Sequence, residues 1–277
     1  MSKFGIPKTY KLFIGGKFPR TESGRILAVT GPKGEFLTNI SRASPKDFRN
    51  SVVVARKASG GWKSASAYLK GQILYRIAEI LDGRAAQFEQ EMTLQGVSSV
   101  AAKKDIAAAI DLLVHYAGWS DKYQQLFSTV NPVNSPHFNF SVPDPSGVVA
   151  VVSPSDGSLA GLVSAMAPVL VGGNTTVILV SGNPLSAISF AEVLATADVP
   201  AGVVNILTGQ RDELVPLFAR HMDVNALLLC SNNAKERKTA ELEAVENLKR
   251  VIFQPDAPVA QSPYQILDFQ EIKTTWH

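Results

Sequence analysis

The sequence has very few residues that could form cross-links or metal sites. Its 277 residues include one cysteine, Cys230, which excludes an internal disulfide and a cysteine-rich zinc site and is typical of a reducing compartment. The few histidines are far apart and show no metal-ligand spacing. They are His115, His137, His221 and His277. We therefore expect no metal site.

Long apolar runs and blocks of one charge are also missing. No run is long enough to cross a bilayer, and the opening residues MSKFGIPKTYK lack the apolar core of a signal sequence. Charged residues make up 18% of the chain, the net charge is +3, and the basic residues are scattered rather than interleaved with aromatics. These absences predict a cytoplasmic protein that binds neither membranes nor nucleic acid.

The first 130 residues are predicted to form a hairpin followed by helices. YKLFIGGKFPRTESGR is typical of two short strands around a turn at Gly15 and Gly16. Ser44 followed by Pro45 has the pattern of a helix N-cap and first turn. Two later amphipathic stretches, YLKGQILYRIAEILDGRAAQFEQEM and AAKKDIAAAIDLLVHYAGW, each predict one helix.

From residue 147 to residue 257, short apolar strands alternate with helical patterns. The strand patterns are GVVAVVS, TTVILV, GVVNILTG, NALLLC and KRVIFQ. Strands of this kind, separated by helices, form parallel sheets that are covered on both faces. The sequence therefore predicts an α/β fold with a Rossmann-like, doubly wound parallel sheet behind the N-terminal helices.

A ligand of such a sheet binds beyond the carboxyl ends of the strands. The loops there are SPSDG, VSGNP, LTGQR and CSNNA, and none has the G-x-G-x-x-G spacing of a phosphate-binding loop. Gly209 precedes a helix and could accept a phosphate, although an ordinary turn glycine is the simpler interpretation. Leu179 and Val180 end their strand without a polar group for a ribose. NAD or NADP is therefore expected to bind weakly at best.

Several segments, in order along the chain, resemble the aldehyde dehydrogenase superfamily. GVVAVVSPSD, APVLVGGNTTVILV, PAGVVNILTG, HMDVNALLL and ENLKRV are similar to its cofactor-binding half, and LFIGGKF is similar to its opening. More narrowly, KTYKLFIGGKFPRTESGR, YAGWSDK and IKTTWH resemble short bacterial proteins related to the non-catalytic second region of family-16 aldehyde dehydrogenases. This resemblance implies a chain without the catalytic domain that accompanies a full-length enzyme.

Against that family pattern, the catalytic positions are altered. The oxyanion-hole asparagine falls on Asp156, after Pro154 and Ser155, and a carboxylate would repel a developing oxyanion. The general-base glutamate falls on Gln254, and an amide cannot accept a proton at neutral pH. Beyond Gln254 the family continues into its catalytic domain, whereas this sequence passes from QPDAPVAQSPY to FQEIKTTWH. The resemblance thus implies that no catalytic residue is retained.

The cofactor positions implied by the resemblance are altered as well. The ribose-binding lysine falls on Ile178 or Leu179, and the glycine–serine pair of the pyrophosphate-binding helix falls on Ser231 and Asn232. The remaining candidates for contact with a dinucleotide are Pro154, Ser155, Gly209 and Ser231.

Two interpretations of Cys230 are open, a catalytic nucleophile and a small buried residue at the end of a strand. It has no histidine nearby in the sequence, and the resemblance matches it to a cofactor loop rather than to the family's nucleophile. The buried, structural interpretation is favoured.

The resemblance also implies a small β flap for oligomerisation. In full-length relatives, a segment before the Rossmann-like half pairs with the C-terminal tail and extends a neighbour's sheet. HFNFSV and FQEIKTTWH are similar to these two pieces, and strand addition would take its specificity from alternate side chains. The expected oligomerisation residues are Phe138, Phe140, Ile272 and Trp276. The expected parts are 1–130, the oligomerisation strand 131–146, the Rossmann-like part 147–257 and the C-terminal oligomerisation strand 258–277.

Two functions follow. The first is a non-catalytic companion or structural subunit, either as a homo-oligomer, with a dimer expected, or with a full-length aldehyde dehydrogenase. The alternative is an NAD(P)-binding protein with residual oxidoreductase activity on aldehydes, since hydride transfer to a nicotinamide needs no protein thiol in principle. The altered catalytic positions favour the first.

Overall fold

The computed structural model describes residues 8–277, so the first seven residues of the predicted N-terminal section lie outside the described residues. None of the helices in the described range is both long enough and apolar enough to cross a bilayer.

The predicted N-terminal hairpin is a tight turn with isolated bridges rather than a pair of strands. Gly15 and Gly16 have φ of 62° and 74°, values that favour glycine. Ile14 and Lys17 exchange two backbone hydrogen bonds across them, of 3.0 and 3.1 Å. The antiparallel strands of this region come later, as β1 (Ile26–Thr30) and β2 (Phe36–Ser41), which were not predicted.

The helical section that follows agrees with the sequence pattern in all but one place. Ser44 caps its helix, because its Oγ accepts from the N–H of Asp47 at 3.2 Å and its own N–H donates to the Asp47 carboxylate at 2.8 Å. The second predicted helix is two helices, since Arg84 leaves the helical conformation with φ −107° and ψ 6°. The helices are α1 (Pro45–Ser64), α2 (Ala67–Gly83), α3 (Ala85–Leu94), α4 (Ser99–Trp119) and α5 (Tyr123–Phe127).

The predicted doubly wound parallel sheet is confirmed. Its strands are β5 (Val148–Val152), β6 (Thr175–Val180), β7 (Val204–Thr208), β8 (Ala226–Cys230) and β9 (Arg250–Gln254). They pair in parallel in the order β7-β6-β5-β8-β9. From β5 the chain adds β6 and β7 on one side of that strand, and it then returns to add β8 and β9 on the other side of β5. The reversal between β5 and β8 is the point at which such sheets open a crevice for a ligand.

Helices cover both faces of this sheet. They are α6 (Leu159–Val171), α7 (Pro184–Thr196), α8 (Arg211–Arg220) and α9 (Ala234–Ala244), which continues into a 3₁₀ turn (Val245–Asn247). Along β5, Val149 and Val151 contact the α6 and α7 side, whereas Val148, Ala150 and Val152 contact the α1 and α8 side. Burial on both faces explains why the strands have no alternating polar residues.

A separate, three-stranded antiparallel sheet forms the flap. It contains β3 (Thr129–Asn131), β4 (Asn139–Pro145) and β10 (Gln270–Trp276) in the order β10-β4-β3. The chain reaches it from β9 through the short helix α10 (Tyr264–Leu267). Phe269 is fully buried, and its carbonyl accepts from Asn174 Nδ2 at 3.0 Å. The flap is therefore anchored to the main sheet.

Candidate functional site

A groove of about 950 Å³ lies at the carboxyl ends of β5, β6 and β8, between α8 and α9. It coincides with the reversal of strand order, where sheets of this topology bind their ligands. The residues that line it include Ser155, Ser181, Arg211, Ser231, Glu236 and Asp256. We call it the strand-end crevice.

Cys230 lies at the base of this region, paired with Gln254 on the neighbouring strand. Cys230 is 1% exposed, and its Sγ is 3.9 Å from Gln254 Oε1. Burial raises the pKa of the Cys230 thiol to about 12. The charge of Arg211 lowers this pKa, and the charges of Asp256 and Asp156 raise it by smaller amounts. At neutral pH the sulfur is therefore a protonated thiol rather than a nucleophilic thiolate.

We expect iodoacetamide to alkylate Cys230 very slowly in the native protein. A thiol whose pKa rises from 9.0 to about 12 has its thiolate fraction at about pH 8 reduced by about a thousandfold. Mass spectrometry of timed samples measures the rate. The matched control is Cys230→Ala/Asn232→Cys, which moves the thiol to an exposed position two residues away. Equal rates for the two proteins would contradict the assignment of Cys230 as an inert thiol.

The loop between β5 and α6 is surrounded by carboxylates. Ser155 donates to the Asp256 carboxylate from its backbone N–H at 2.6 Å and also from its hydroxyl. Partial burial raises the pKa of Asp156; the N–H of Ser158 lowers it, and the charges of Asp105 and Asp256 raise it again. Carboxylates at this loop are unfavourable for any ligand that carries or develops negative charge there.

Arg211, the first residue of α8, extends into the strand-end crevice. Its guanidinium donates to the carbonyl of Ser153, just after β5, at 2.9 Å and to the carbonyl of Cys230 at 2.8 Å. It also forms a bidentate pair with Glu236 of α9, with distances of 2.9 and 2.8 Å. The two side chains are only 14% and 15% exposed. An internal ion pair thus bridges the ends of β5 and β8.

The same pair sets the ionisation of Glu236. Burial raises the pKa of this carboxyl group, but hydrogen bonds from Arg211 and Ser231, together with the charge of Arg211, outweigh burial, so the pKa is lowered. Glu236 is therefore ionised at neutral pH and adds a negative charge to the crevice that Arg211 balances.

The backbone amides at the starts of α6 and α9 are already occupied, whereas α8 begins without a side-chain cap. The Asp105 carboxylate of α4 accepts from the N–H groups of the first two residues of α6, at 2.7 and 3.3 Å. Asn233 Oδ1 accepts from two N–H groups in the first turn of α9, at 2.9 and 3.3 Å. The N–H of Gly209 donates to the carbonyl of Val180 at 3.2 Å. A Cβ at Gly209 would come within 2.7 Å of Leu214 Cδ1, so a larger residue would require the Leu214 side chain to move.

The residues of the crevice do not fit the pyrophosphate of NAD or NADP. Such a group requires free backbone N–H groups at a helix N-terminus and a positive field. Here the first amides of α6 and α9 are occupied, Arg211 at the start of α8 is neutralised by Glu236, and Asp256 adds a further carboxylate. Across residues 8–277, no group of three or more His, Cys, Asp and Glu side chains could hold a metal ion.

The structure brings most of the predicted crevice residues together. Five of them are at the carboxyl ends of β5, β8 and β9: Pro154, Ser155, Asp156, Ser231 and Gln254. Gly209 follows β7, at the end of the sheet beyond β6. Arg211 and Glu236 were not predicted, although an arginine in the LTGQR loop, where a small residue is usual beside a phosphate, was a possible signal.

The four predicted oligomerisation residues lie apart from the crevice, on the flap. Phe138 is 52% exposed, and its ring centroid is 5.5 Å from that of the half-buried Phe140. Ile272 and Trp276, on one face of β10, are 58% and 61% exposed. Within the described part of the chain, β3 and β10 each have one neighbouring strand and one free edge. Such an edge with exposed apolar side chains is suited to pairing with another chain.

Comparison with known proteins gives one consistent result. The aldehyde dehydrogenase family model matches residues 19–257. The chain is 30% identical to a mitochondrial 10-formyltetrahydrofolate dehydrogenase of Mus musculus, over 87% of this chain and 27% of that protein. It is also 30% identical to an aldehyde dehydrogenase of Aspergillus niger, over 88% of this chain and 49% of that protein.

The structural comparison agrees. A crystal structure of a putative aldehyde dehydrogenase from Burkholderia cenocepacia superposes with a TM-score of 0.85 and 28% sequence identity. The match covers 89% of this chain and 50% of that one. The chain therefore spans half or less of the length of these relatives.

Proposed function

This chain belongs to the aldehyde dehydrogenase family, and from that premise we propose that it is a non-catalytic companion or structural subunit. It would assemble with itself, or with a full-length aldehyde dehydrogenase, and shape the oligomer or help to pass on a reactive aldehyde. Its fold is of the NAD(P)-binding Rossmann type, but the proposed role does not use that chemistry.

One observation carries the proposal. The only thiol of the chain is buried at the end of β8 beside an amide, Gln254, so neither a thiolate nor a general base is available there. Oxidation of an aldehyde through a covalent thiohemiacetal requires both. Asp156, on the neighbouring loop, adds a carboxylate where an anion would need a hydrogen-bond donor.

The flap supports the assembly part of the proposal. β10 pairs with β4 along its whole length, from Gln270 opposite Pro145 to Trp276 opposite Asn139. This pairing holds β10 extended, with Ile272 and Trp276 exposed on one of its faces. A strand presented in this way can add to the sheet of a second subunit through its main-chain groups.

The inactivity is tested by incubating the purified chain with NAD or NADP and a series of aliphatic and aromatic aldehydes. We expect no formation of reduced nicotinamide above that of a buffer blank. Cys230→Ala is the matched variant. Activity that is present in the wild-type chain and disappears in Cys230→Ala would contradict the proposal, whereas activity that is the same in both would indicate a contaminating dehydrogenase.

The assembly is tested by purifying the chain from its native cell and measuring the mass of the intact complex. We expect a mass that corresponds to two or more copies of this chain, or to this chain together with subunits of an aldehyde dehydrogenase. Recovery of a single 29.7 kDa chain at micromolar concentration would count against it.

A further inference from the structure

The strand-end crevice contains a side chain where sheets of this type usually hold a ligand. The guanidinium of Arg211 contacts Ser153, the residue just after β5, and Cys230, the last residue of β8. These are the two strands between which the winding of the sheet reverses. Arg211 thus lies at the topological switch point of the sheet.

Arg211 could in principle serve as a receptor for an anionic ligand, but its hydrogen bonds argue otherwise. A guanidinium has five N–H donors, and Arg211 makes four hydrogen bonds, two to backbone carbonyls and two to Glu236. Its charge is balanced by that carboxylate, and the pair is largely removed from water. Almost no donor capacity and no net charge are left for a phosphate.

The loops above the pair reinforce this arrangement. Ser155, after β5, is bonded to Asp256, after β9, and β8 lies between those two strands. The contact therefore crosses the carboxyl end of β8, next to Arg211. A second guanidinium, that of Arg237, donates to the carbonyls of Ser231 and Gln254 at 2.6 and 3.3 Å.

We propose that Arg211 and Glu236 are an internal occupant that closes the strand-end crevice to dinucleotides, and that removal of both side chains exposes the uncapped N–H groups at the start of α8 to the pyrophosphate of NAD. The pair takes the place of the ligand by capping the carbonyl ends of β5 and β8. This inference does not depend on a partner subunit and holds whether or not the chain assembles.

Calorimetric titration with NAD and with inorganic pyrophosphate tests the proposal. The wild-type protein is expected to show no binding at millimolar concentration. Arg211→Ala/Glu236→Ala is expected to bind both, with an affinity at least about tenfold above the wild-type detection limit. The matched control is Arg220→Ala/Glu243→Ala, which removes a second pair between the same helices, with an N–O distance of 3.1 Å and exposures of 51% and 33%. This control should bind neither ligand.

Two results would overturn the proposal. One is a folded Arg211→Ala/Glu236→Ala protein, with a wild-type circular dichroism spectrum, that binds neither ligand. The other is a wild-type protein that binds NAD and loses that binding in Arg211→Ala, which would make Arg211 a ligand contact.

A measurement on the wild-type protein decides the question if the double variant does not fold. The Nε–H signal of Arg211 can be assigned in a ¹⁵N NMR spectrum by its absence in Arg211→Lys. We expect its hydrogen exchange to be slower than that of Arg220, and its position to be unchanged when millimolar pyrophosphate is added. A shift of this signal on addition of pyrophosphate would show that the crevice accepts the anion, contrary to the proposal.

Discussion

Arg211→Ala is expected to lower the free energy of unfolding by about 2–4 kcal/mol at neutral pH. The substitution leaves the Glu236 carboxylate, which is 15% exposed, without its cationic partner. It also removes the donors to the carbonyls of Ser153 and Cys230. The expected loss is smaller than that for breaking a fully buried ion pair, because the Arg211–Glu236 pair is partly in contact with water. Urea denaturation followed by far-ultraviolet circular dichroism measures the effect.

Arg220→Ala provides the matched control. Arg220 is also an α8 residue paired with an α9 glutamate, Glu243, but its side chain is 51% exposed. Its removal is expected to cost less than about 1 kcal/mol, the usual value for a surface pair. Equal losses in Arg211→Ala and Arg220→Ala would show that burial of the Arg211 pair has no energetic importance.

The pH dependence of the stability difference between wild type and Arg211→Ala gives an independent check. In the wild-type protein the pKa of Glu236 is lowered by folding. Its contribution to stability is therefore complete above the unfolded-state pKa and is lost as the pH falls through the folded-state pKa. Removal of Arg211 takes away the hydrogen bond that lowers this pKa most, together with a charge that also lowers it, so the pKa of Glu236 rises and protonation then relieves the penalty. The stability difference between wild type and Arg211→Ala should shrink between neutral pH and about pH 4.

Ile272→Asp/Trp276→Asp is expected to dissociate the assembled protein into single chains. Both side chains are on one face of β10 and are mostly exposed in the isolated chain, so the substitutions should leave the fold of the subunit intact. In an assembly that covers this face, they would bury two carboxylates without partners. We expect the dissociation constant to rise by about 100-fold or more, which corresponds to about 2.7 kcal/mol. Sedimentation velocity measures the change.

Thr275→Asp is the control for that experiment, because it adds a carboxylate to the opposite face of the same strand. It should retain the wild-type mass if Ile272 and Trp276 form the contact. If both variants dissociate equally, β10 is bound through its backbone alone or through its other face. If neither dissociates, the flap is not the contact between subunits.

The sequence predicts the main sheet because burial on both faces leaves a strong pattern. Each strand from β5 to β9 is a short run of mostly apolar residues, and the Ser44 cap followed by Pro45 marks the start of α1 within a few residues of sequence. The break at Arg84 could not be predicted in this way. The apolar periodicity continues on both sides of it, and only the local backbone conformation separates α2 from α3.

The crevice was predicted only in part because its decisive contacts join distant residues. Arg211 and Glu236 are 25 positions apart and meet only because α8 and α9 pack against each other on one face of the sheet. The same holds for Ser155 and Asp256, which are separated by 101 positions. Periodicity and spacing report on neighbours within one element, so an ion pair between two elements leaves no pattern of its own.

The pairing of β4 with β10 also affects the order of events during synthesis. Ser141 and Thr274, whose hydroxyl groups are 2.7 Å apart, are separated by 133 positions. At about 5–20 residues per second, a ribosome needs on the order of ten seconds to make the intervening chain. During that interval β3 covers one edge of β4, but the edge that later pairs with β10 has no partner from its own chain. A chaperone, or β10 of an already folded molecule, therefore has time to bind β4 of the nascent chain before β10 of that same chain has been synthesised.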